Sequence, residues 1–569
     1  MRFPLLTIVC LFLSPALLFG QADYQRPVGF ARQSRSVVVA KHGIVATSHP
    51  LAAQVGLDVL KRGGNAVDAA IAVNAMMGVV EPMSCGIGGD LFAIVWDSKT
   101  KKLYGLNASG RSPAKLTRQV FKDRGERHIP IRGPLAWSVP GCVSGWDELQ
   151  KRFGSRKLGE LLQPAIETAN EGFGVTEVIA GSWRGSVKLL RKYRHSAETY
   201  LINDKAPRFG QQYRNPRLAK TYSLIAKQGA KAFYNGSIAK KIVSFSKNNG
   251  GYFSLSDFTE HRANWVEPVS TTYRGYKVWE LPPNGQGIAA LQMLNFLEPY
   301  DLKKLGSGHP DYLHLLIEAK KLAFADRAKF YADPDFAKLP TAELISKAYA
   351  KKRGKRIRID RAATDVPAGD PQLAKGDTIY LTVVDKDRNC CSLIQSIYYG
   401  FGSMVTPGDV GFVLQNRGAL FSLKPKHLNR LEPKKRPFHT IIPAMVTKNG
   451  RPHFCFGVMG GDMQPQGHVQ VLVNMIDFGM NVQQAGDAAR VRHFGSATPT
   501  SIKADGSGTV MAERSFPRKT IQALKRKGHQ VKLVRGGSFG GYQGILIDWK
   551  NGVLHGATES RKDGAAVGY

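Results

Sequence analysis

The pattern of apolar and polar positions divides the chain into a helix-rich first half and a strand-rich second half. Residues 50–62 are predicted to form a helix, with Pro50 in its first turn and Gly63-Gly64 after its end. Residues 66–78 are rich in alanine and predict a second, buried helix. Residues 311–332 predict a long helix with an apolar face, and its other face carries Lys320, Lys321 and Lys329.

Two β-hairpins are predicted in the second half. Residues 380–384 and 391–396 flank the polar turn 385–389, and residues 440–446 pair with 453–457 across Lys448-Asn449-Gly450. Hairpins separated by helices indicate stacked sheets covered by helices. The predicted fold class is therefore α/β in the mixed α+β sense, built as one large unit, since the chain shows no low-complexity linker and no solenoid repeat.

Thr378 is the first candidate for chemistry. It stands at the start of the alternating strand Ile379-Tyr380-Leu381-Thr382-Val383-Val384. A Thr hydroxyl is a weak nucleophile, but a Thr that becomes the first residue of a chain carries its own base, because its α-amine titrates near neutrality. On these residues alone Thr378 is an ordinary strand residue, and the question is whether the chain is cut before it.

The rest of the sequence answers that question through a resemblance. From about Val38 to Tyr569 the chain resembles the γ-glutamyltranspeptidase family, the glutathione hydrolase proenzymes. The segments that carry the resemblance, in the family's order, are Ala46-Thr47-Ser48-His49-Pro50-Leu51-Ala52, Gly63-Gly64-Asn65-Ala66-Val67-Asp68-Ala69-Ala70, Gly86-Ile87-Gly88-Gly89, Val139-Pro140-Gly141, Pro282-Pro283, Ala325-Asp326-Arg327, Asp333-Pro334-Asp335-Phe336 and Ser346-Lys347-Ala348-Tyr349.

The resemblance implies a self-cleaving precursor. The cut would fall between Asp377 and Thr378 and would give a large subunit, 23–377, and a small subunit, 378–569. Together they would form the four-layer αββα sandwich of the N-terminal-nucleophile hydrolases, as a heterodimer. Ile379 stands where most members carry a second Thr, which leaves the efficiency of self-cleavage open.

The same resemblance assigns the other catalytic positions. Ser396 matches the hydroxyl partner of the nucleophile on the neighbouring strand. Gly460 and Gly461 match the family's oxyanion glycines. They follow a predicted strand and precede an apolar helical run, where backbone N–H groups approach a ligand closely.

The substrate pocket departs from the family. Ser109 stands at the position of the arginine that binds the α-carboxylate of a γ-glutamyl group, and Arg111 is the nearest arginine. The family's Ser-Ser pair is replaced by His439-Thr440. On the side that binds the α-amine, Asn, Gln or Glu, and Asp are replaced by Tyr398, Arg417 and Leu420. Placing a cation where an ammonium was bound changes the preference of a dry site by several kcal/mol.

Four functions stay open on this basis. The family default is hydrolysis or transfer of γ-glutamyl groups of glutathione-like peptides through an acyl-Thr intermediate. The second is the same chemistry on another acyl group, as in the related cephalosporin and glutaryl acylases, with Arg417 and His439 binding an acid. The third is an uncleaved cationic protein that binds anionic polymers, and the fourth is an inactive secreted scaffold.

Composition bears on location and partners. Residues 1–22 have the charged start, apolar core and small-x-small end of a signal peptide, which predicts export to the periplasm or the outside, without a transmembrane anchor. The formal net charge of +36 would attract anionic polymers, but the basic residues are spread out without a nucleic-acid motif, so no specific nucleic-acid partner is expected.

Neither a cofactor nor a metal is predicted. Gly86-Ile87-Gly88-Gly89 lacks the spacing of a dinucleotide loop, and we interpret it as a site of close backbone packing. The five cysteines that follow the predicted signal peptide match no metal-site spacing. Most of them are expected to be small buried hydrophobic residues, and a disulfide between two of them stays open but is not required.

Overall fold

The structure is a computed structural model that describes residues 33–364, 366, 376–501, 506–534, 536 and 539–569. The predicted signal peptide, 1–22, lies outside the described residues. The strands of the described part are β1 (Val38–Ala40), β2 (Ile44–Thr47), β3 (Asp90–Asp97), β4 (Lys102–Ala108), β5 (Phe173–Gly174), β6 (Gln212–Tyr213), β7 (Asn264–Val266), β8 (Val269–Tyr273), β9 (Tyr276–Glu280), β10 (Gly376–Val384), β11 (Cys390–Tyr399), β12 (Ala444–Lys448), β13 (Arg451–Val458), β14 (Val491–Phe494), β15 (Thr509–Glu513), β16 (Gln530–Val534), β17 (Tyr542–Asp548), β18 (Val553–Thr558) and β19 (Ala565–Gly568).

The helices of the same residues are α1 (Pro50–Lys61), α2 (Ala66–Val80), α3 (Arg118–Asp123), α4 (Cys142–Phe153), α5 (Leu158–Glu171), α6 (Glu177–Arg184), α7 (Val187–Leu190), α8 (Arg194–Tyr200), α9 (Pro216–Gln228), α10 (Ala230–Tyr234), α11 (Ser237–Asn248), α12 (Leu255–Thr259), α13 (Gly287–Leu297), α14 (Leu302–Leu305), α15 (Pro310–Phe330), α16 (Thr341–Leu344), α17 (Lys347–Gly354), α18 (Met463–Ile476), α19 (Val482–Asp487) and α20 (Arg518–Arg526). Short 3₁₀ helices cover Pro134–Ala136 and Arg417–Leu420.

Two seven-stranded antiparallel sheets form the centre of the molecule. Sheet I has the order β19-β2-β10-β11-β3-β4-β7, and sheet II has the order β1-β18-β17-β13-β12-β9-β8. A three-stranded sheet, β14-β15-β16, and the short β5-β6 pair lie outside them.

The side chains of β10 show how the layers stack. Ile379, Leu381 and Val383 belong to an apolar cluster that also contains α2 and other helices of the first half. Tyr380 and Val384 belong to a second cluster, shared with strands of sheet II. A third cluster joins the other side of sheet II to α13, α15 and α18. The order helix, sheet, sheet, helix confirms the predicted four-layer sandwich.

The first two predicted helices are confirmed nearly to the residue. α1 begins at Pro50, with the His49 side chain accepting from the N–H of Leu51. α2 begins after Asn65, which forms a capping box with Asp68, and every residue of this helix is buried.

The two predicted hairpins form, but the second starts later than expected. β10 and β11 pair as predicted. β12 begins at Ala444, not at 440, because the backbone ahead of it binds other elements. The His439 N–H donates to the Asn284 carbonyl, and the Ile442 N–H donates to the Gln464 side chain.

The prediction that α15 has a charged, exposed face is wrong for two of its lysines. Lys320 is 2% exposed and donates to Ser496 Oγ at 2.8 Å, while Lys321 is 4% exposed and donates to Glu318 at 2.8 Å. Later segments of the chain cover this face, so a pattern read along α15 alone cannot detect its burial.

The predictions for the small residues hold. The five described cysteines are buried. A Cβ on Gly88 would lie 2.0 Å from the Val413 carbonyl oxygen, and one on Gly89 would lie 2.3 Å from the Ser396 carbonyl oxygen. Close backbone packing therefore explains these glycines, and it fixes the strand that carries Ser396.

Candidate active site

Thr378 and Ser396 face each other across the β10–β11 hairpin. The Thr378 hydroxyl donates to Ser396 Oγ at 3.3 Å, and both residues are buried. The pairing register shifts between Asp377 and Ile379, so Thr378 sits at a bulge, a feature that re-aims side chains. Ser396 Oγ also accepts from the Tyr398 N–H at 2.8 Å. The hydroxyl pair is thus tied to the backbone that leads into the pocket.

A glycine turn joins sheet II to α18. Gly460 has φ +117° and Gly461 has φ +59°, a region that L side chains rarely adopt. A Cβ on Gly460 would lie 3.1 Å from Gly540 Cα. The Gly460 and Gly461 carbonyls accept from the N–H groups of Met463 and Gln464, both at 3.1 Å. The turn is therefore closed by the helix that it precedes.

Asp462 at the end of this turn is held by a buried arginine. Arg327 Nη1 lies 2.6 Å from Asp462 Oδ1, and the arginine side chain is fully buried. Burial acts to raise the pKa of Asp462, but the charge and hydrogen bond of Arg327, together with the charges of Lys320 and Arg492, outweigh it and the net shift is downward. Asp462 is accordingly an ionised anchor of the turn.

Arg417 is the most informative of the predicted pocket residues. It is fully buried, and its Nη1 donates to Thr440 Oγ1 at 2.6 Å. The guanidinium lies 4.6 Å from the ring centroid of Tyr398. Burial lowers the pKa of Arg417 to about 10, so it stays charged at neutral pH. Its Nε and Nη2 have no hydrogen-bond partner among the described residues, and such orphaned donors are rare in folded proteins.

The His439 side chain is bound to a buried carboxylate. Its Nε2 lies 3.0 Å from Asp90 Oδ2, and both side chains are fully buried. Burial, with the nearby charge of Arg417, lowers the pKa of His439 well below its usual range. His439 is therefore a neutral imidazole that donates to Asp90.

Asp90 is a central residue that the sequence analysis missed. It pairs with Ser396 in the register of β3 and β11. Its Oδ1 accepts from the Gly110 N–H at 2.9 Å and from Gln415 Nε2 at 2.8 Å. Burial raises the pKa of Asp90 to about 7, with Arg417 acting in the opposite direction. An acidic residue inside the apolar run after Gly88-Gly89 was the available signal.

The remaining predicted pocket residues lie in different environments, some buried and one at the surface. Leu420 is fully buried and shares an apolar cluster with Tyr398. Arg111 lies 3.3 Å from Asp335 in an ion pair that reaches solvent, and its role in substrate binding stays a prediction. Arg436, which sequence reasoning also missed, donates from Nε to the Ser109 carbonyl at 3.1 Å.

One group among the described residues has the make-up of a metal site: His314, Glu318 and His529. Glu318 already binds Lys321 through one oxygen and the Ala363 N–H through the other. A lysine ammonium at the carboxylate opposes a divalent cation. We therefore assign this cluster to anchoring the chain near Ala363.

A sequence profile of the family described as Gamma-glutamyltranspeptidase matches residues 52–569. The chain belongs to the γ-glutamyltranspeptidase family. It is 41% identical over 543 residues to the glutathione hydrolase-like YwrD proenzyme of Bacillus subtilis (strain 168), covering 94% of this chain and all of that one. It is 35% identical over 534 residues to the acylase ACY 1 proenzyme of Pseudomonas sp. (strain SE83), covering 92% and 93%.

A solved structure shows the same family fold. The cephalosporin acylase from Bacillus halodurans superposes with a TM-score of 0.88 at 43% identity, covering 95% of this chain and 98% of that one. Membership of the γ-glutamyltranspeptidase family confirms the resemblance, the N-terminal-nucleophile hydrolase fold and the prediction of an enzyme, a hydrolase or acyltransferase of this type. It gives no support to the readings as a binding protein or an inactive scaffold.

For partners and location, the comparisons support coarser statements. Relatives are named as proenzymes, which indicates processing into two subunits, and family members act on small molecules. Within the part of the chain that the structure describes, helices long and apolar enough to span a bilayer are absent.

Proposed function

We propose that this protein is a self-cleaving amidohydrolase that uses Thr378 as its nucleophile and acts on small amides or peptides. In self-cleavage the Thr378 hydroxyl oxygen would attack the Asp377 carbonyl, the C–N bond between Asp377 and Thr378 would break, and the hydroxyl proton would pass to the freed α-amine of Thr378. Water would then hydrolyse the resulting ester and leave Asp377 with a free carboxylate. The products are subunits 23–377 and 378–569, which stay together as a heterodimer. The observation that carries the proposal is the 3.3 Å contact between the Thr378 and Ser396 hydroxyls at the bulge.

The catalytic cycle needs only groups of this chain. The freed α-amine of Thr378 takes the hydroxyl proton as Oγ1 attacks the amide carbonyl of the substrate. N–H groups of Gly460 and Gly461 stabilise the oxyanion. The leaving amine takes the proton, and an acyl ester remains on Thr378. Water, or an amine acceptor in a transfer reaction, then attacks the ester and restores the hydroxyl.

The pocket favours an acyl group that ends in a carboxylate and carries no amine. Two nitrogens of Arg417, Nε and Nη2, have no hydrogen-bond partner among the described residues, and one N–H from each matches the two oxygens of a carboxylate. An α-ammonium would need an acceptor beside this cation, but Asp90 is already bound to backbone N–H groups, Gln415 and His439. We therefore favour the acylase alternative over the γ-glutamyl default.

Export is part of the proposal. The segment 1–22 has the features of a signal peptide, and the mature large subunit would begin at Asp23. Amino-terminal sequencing of protein recovered outside the cytoplasm tests this directly. Recovery of the protein from the cytoplasm with residues 1–22 still attached would contradict the proposal of export.

Intact mass spectrometry tests the chemistry. Incubation with glutaryl or γ-glutamyl p-nitroanilide, followed by rapid acid quenching, should add the mass of the acyl group to the small subunit and place it on Thr378. Absence of any acylated small subunit in an enzyme that turns over these substrates would remove the covalent mechanism.

A further inference from the structure

Gln286 joins two parts of the site that lie far apart in sequence. Its Nε2 donates to the Thr440 carbonyl at 2.7 Å and to the Gly461 carbonyl at 2.9 Å. Its Oε1 accepts from Arg327 Nη1 at 2.6 Å. The residue is fully buried and directly precedes α13, whose residues are all buried, so its backbone is on a rigid element.

The orientation of this amide is fixed by chemistry. Two carbonyl oxygens face one end and a guanidinium faces the other, so a flipped amide would set oxygen against oxygen and nitrogen against nitrogen. Arg327 is itself held by Asp462. Gln286 therefore has one arrangement, and both carbonyls depend on it.

The two carbonyls belong to residues with different roles. Thr440 accepts from Arg417, the proposed partner of the carboxylate end of the acyl group. Gly461 belongs to the turn proposed to bind the oxyanion, at the reacting end of the same group. The amide thus spans the two ends of the bound acyl chain.

We infer that Gln286 is a positioning residue that fixes the distance between the acid-binding end and the reacting end of the pocket, and so sets the length of acyl chain that the enzyme accepts. This inference rests on the proposed function. Because misplacement by about 1 Å costs on the order of a hundredfold in rate, a fixed spacing selects one chain length.

The test is a series of p-nitroanilides whose acyl groups are succinyl, glutaryl and adipyl, assayed on the processed enzyme. Wild type should favour one length by about tenfold or more in kcat/KM. Gln286→Met keeps the size of the side chain but removes both donors. It should flatten the preference to less than about threefold and lower kcat for the favoured length by on the order of a hundredfold.

Two further variants separate positioning from stability. Gln286→Glu keeps the shape and the contact with Arg327 but cannot donate to both carbonyls, and it should also flatten the profile. Gln292→Met is the matched control, since Gln292 is another fully buried amide, on α13, which binds Asp326 and Tyr331. It should lower the melting temperature while leaving the length profile unchanged.

The outcomes distinguish this inference from the function on which it rests. A wild type that forms no acyl-Thr378 overturns the proposed function. A wild type that forms it but shows no length preference, or a Gln286→Glu variant with the wild-type profile and kcat, overturns the inference alone. So does a Gln292→Met variant that flattens the profile equally.

Discussion

The hydroxyl of Thr378 donates to the hydroxyl of Ser396 at the point where the β10–β11 pairing shifts by one residue. A regular ladder would leave Thr378 in line with the other side chains of β10. The bulge instead gives this residue its own direction, and Ser396 holds the hydroxyl while the chain is still intact. The proposed nucleophile is therefore positioned before the proposed cut would free its α-amine.

Replacing Thr378 should abolish processing. Thr378→Ala removes the attacking oxygen, and we expect one chain on a denaturing gel, without a new amino terminus at position 378. Thr382→Val, on the same strand, removes a hydroxyl that donates to Cys455 and should be processed normally. Cleavage before residue 378 in the alanine variant would show that another group attacks.

A side chain in the glycine turn should cost catalysis more than stability. Gly461→Val tilts a backbone donor away from the developing charge, and turnover should fall by on the order of a hundredfold or more. The left-handed φ adds about 1 to 2 kcal/mol of strain.

Gly479→Val is the matched control for strain, because Gly479 has a similar φ of +67° and nothing lies within 4 Å of a Cβ placed on it. It should lose stability by a similar amount but keep its turnover. Wild-type turnover in a folded Gly461→Val variant, checked by circular dichroism and melting, would assign the turn to packing alone.

The pocket residues predict a preference for the glutaryl over the γ-glutamyl compound. The γ-glutamyl compound differs from the glutaryl compound by an α-ammonium group, which the positive charge of Arg417 would repel. Changing Leu420→Asp and Arg417→Gln together should move the preference toward γ-glutamyl by roughly 1 to 3 kcal/mol. Arg111→Gln should change the substrate preference little, because Arg111 is paired with Asp335. Strong wild-type selectivity for γ-glutamyl over glutaryl p-nitroanilide would contradict this preference and favour glutathione hydrolysis as the function.

The ionisation of Asp90 should lower the free energy of unfolding as the pH rises toward neutrality. Its folded pKa is about 7 against an ordinary 3.8, so between about pH 4 and 7 the folded state holds a proton that the unfolded state has released. Raising the pH through this window therefore favours unfolding, by up to on the order of 4 kcal/mol above pH 7.

Asp90→Asn removes this titration, and its melting temperature should change less between pH 5 and pH 8 than that of the parent. Both are best measured in the Thr378→Ala background, so that one chain unfolds. Equal pH dependence in the two proteins would place the folded pKa of Asp90 near its ordinary value.

Local pattern was sufficient for α1, α2 and the β10–β11 hairpin, because each is encoded by contiguous signals such as Pro50, the Asn65 cap and a polar turn. It was not sufficient for the burial of Lys320, whose partner Ser496 lies 176 residues further along the chain. The roles of Asp90 and Gln286 were not predicted for the same reason. Gln286 binds two backbone carbonyls and Arg327, all distant in sequence. Asp90 accepts from a backbone N–H, Gln415 and His439, which the fold brings to it.

The sheet order also bears on how the two subunits come to exist. With the proposed cut before Thr378, β2 of the large subunit pairs with residues 381–384 of β10 on one side and with β19 on the other, and both of these segments would belong to the small subunit. A strand placed between two strands of the other subunit cannot be added to a finished partner from outside. Co-expression of residues 23–377 and 378–569 as separate genes should therefore yield little active protein. Under the proposed function, the uncut chain would act as its own assembly template, and the backbone cut would make the assembled state hard to rebuild once it is lost.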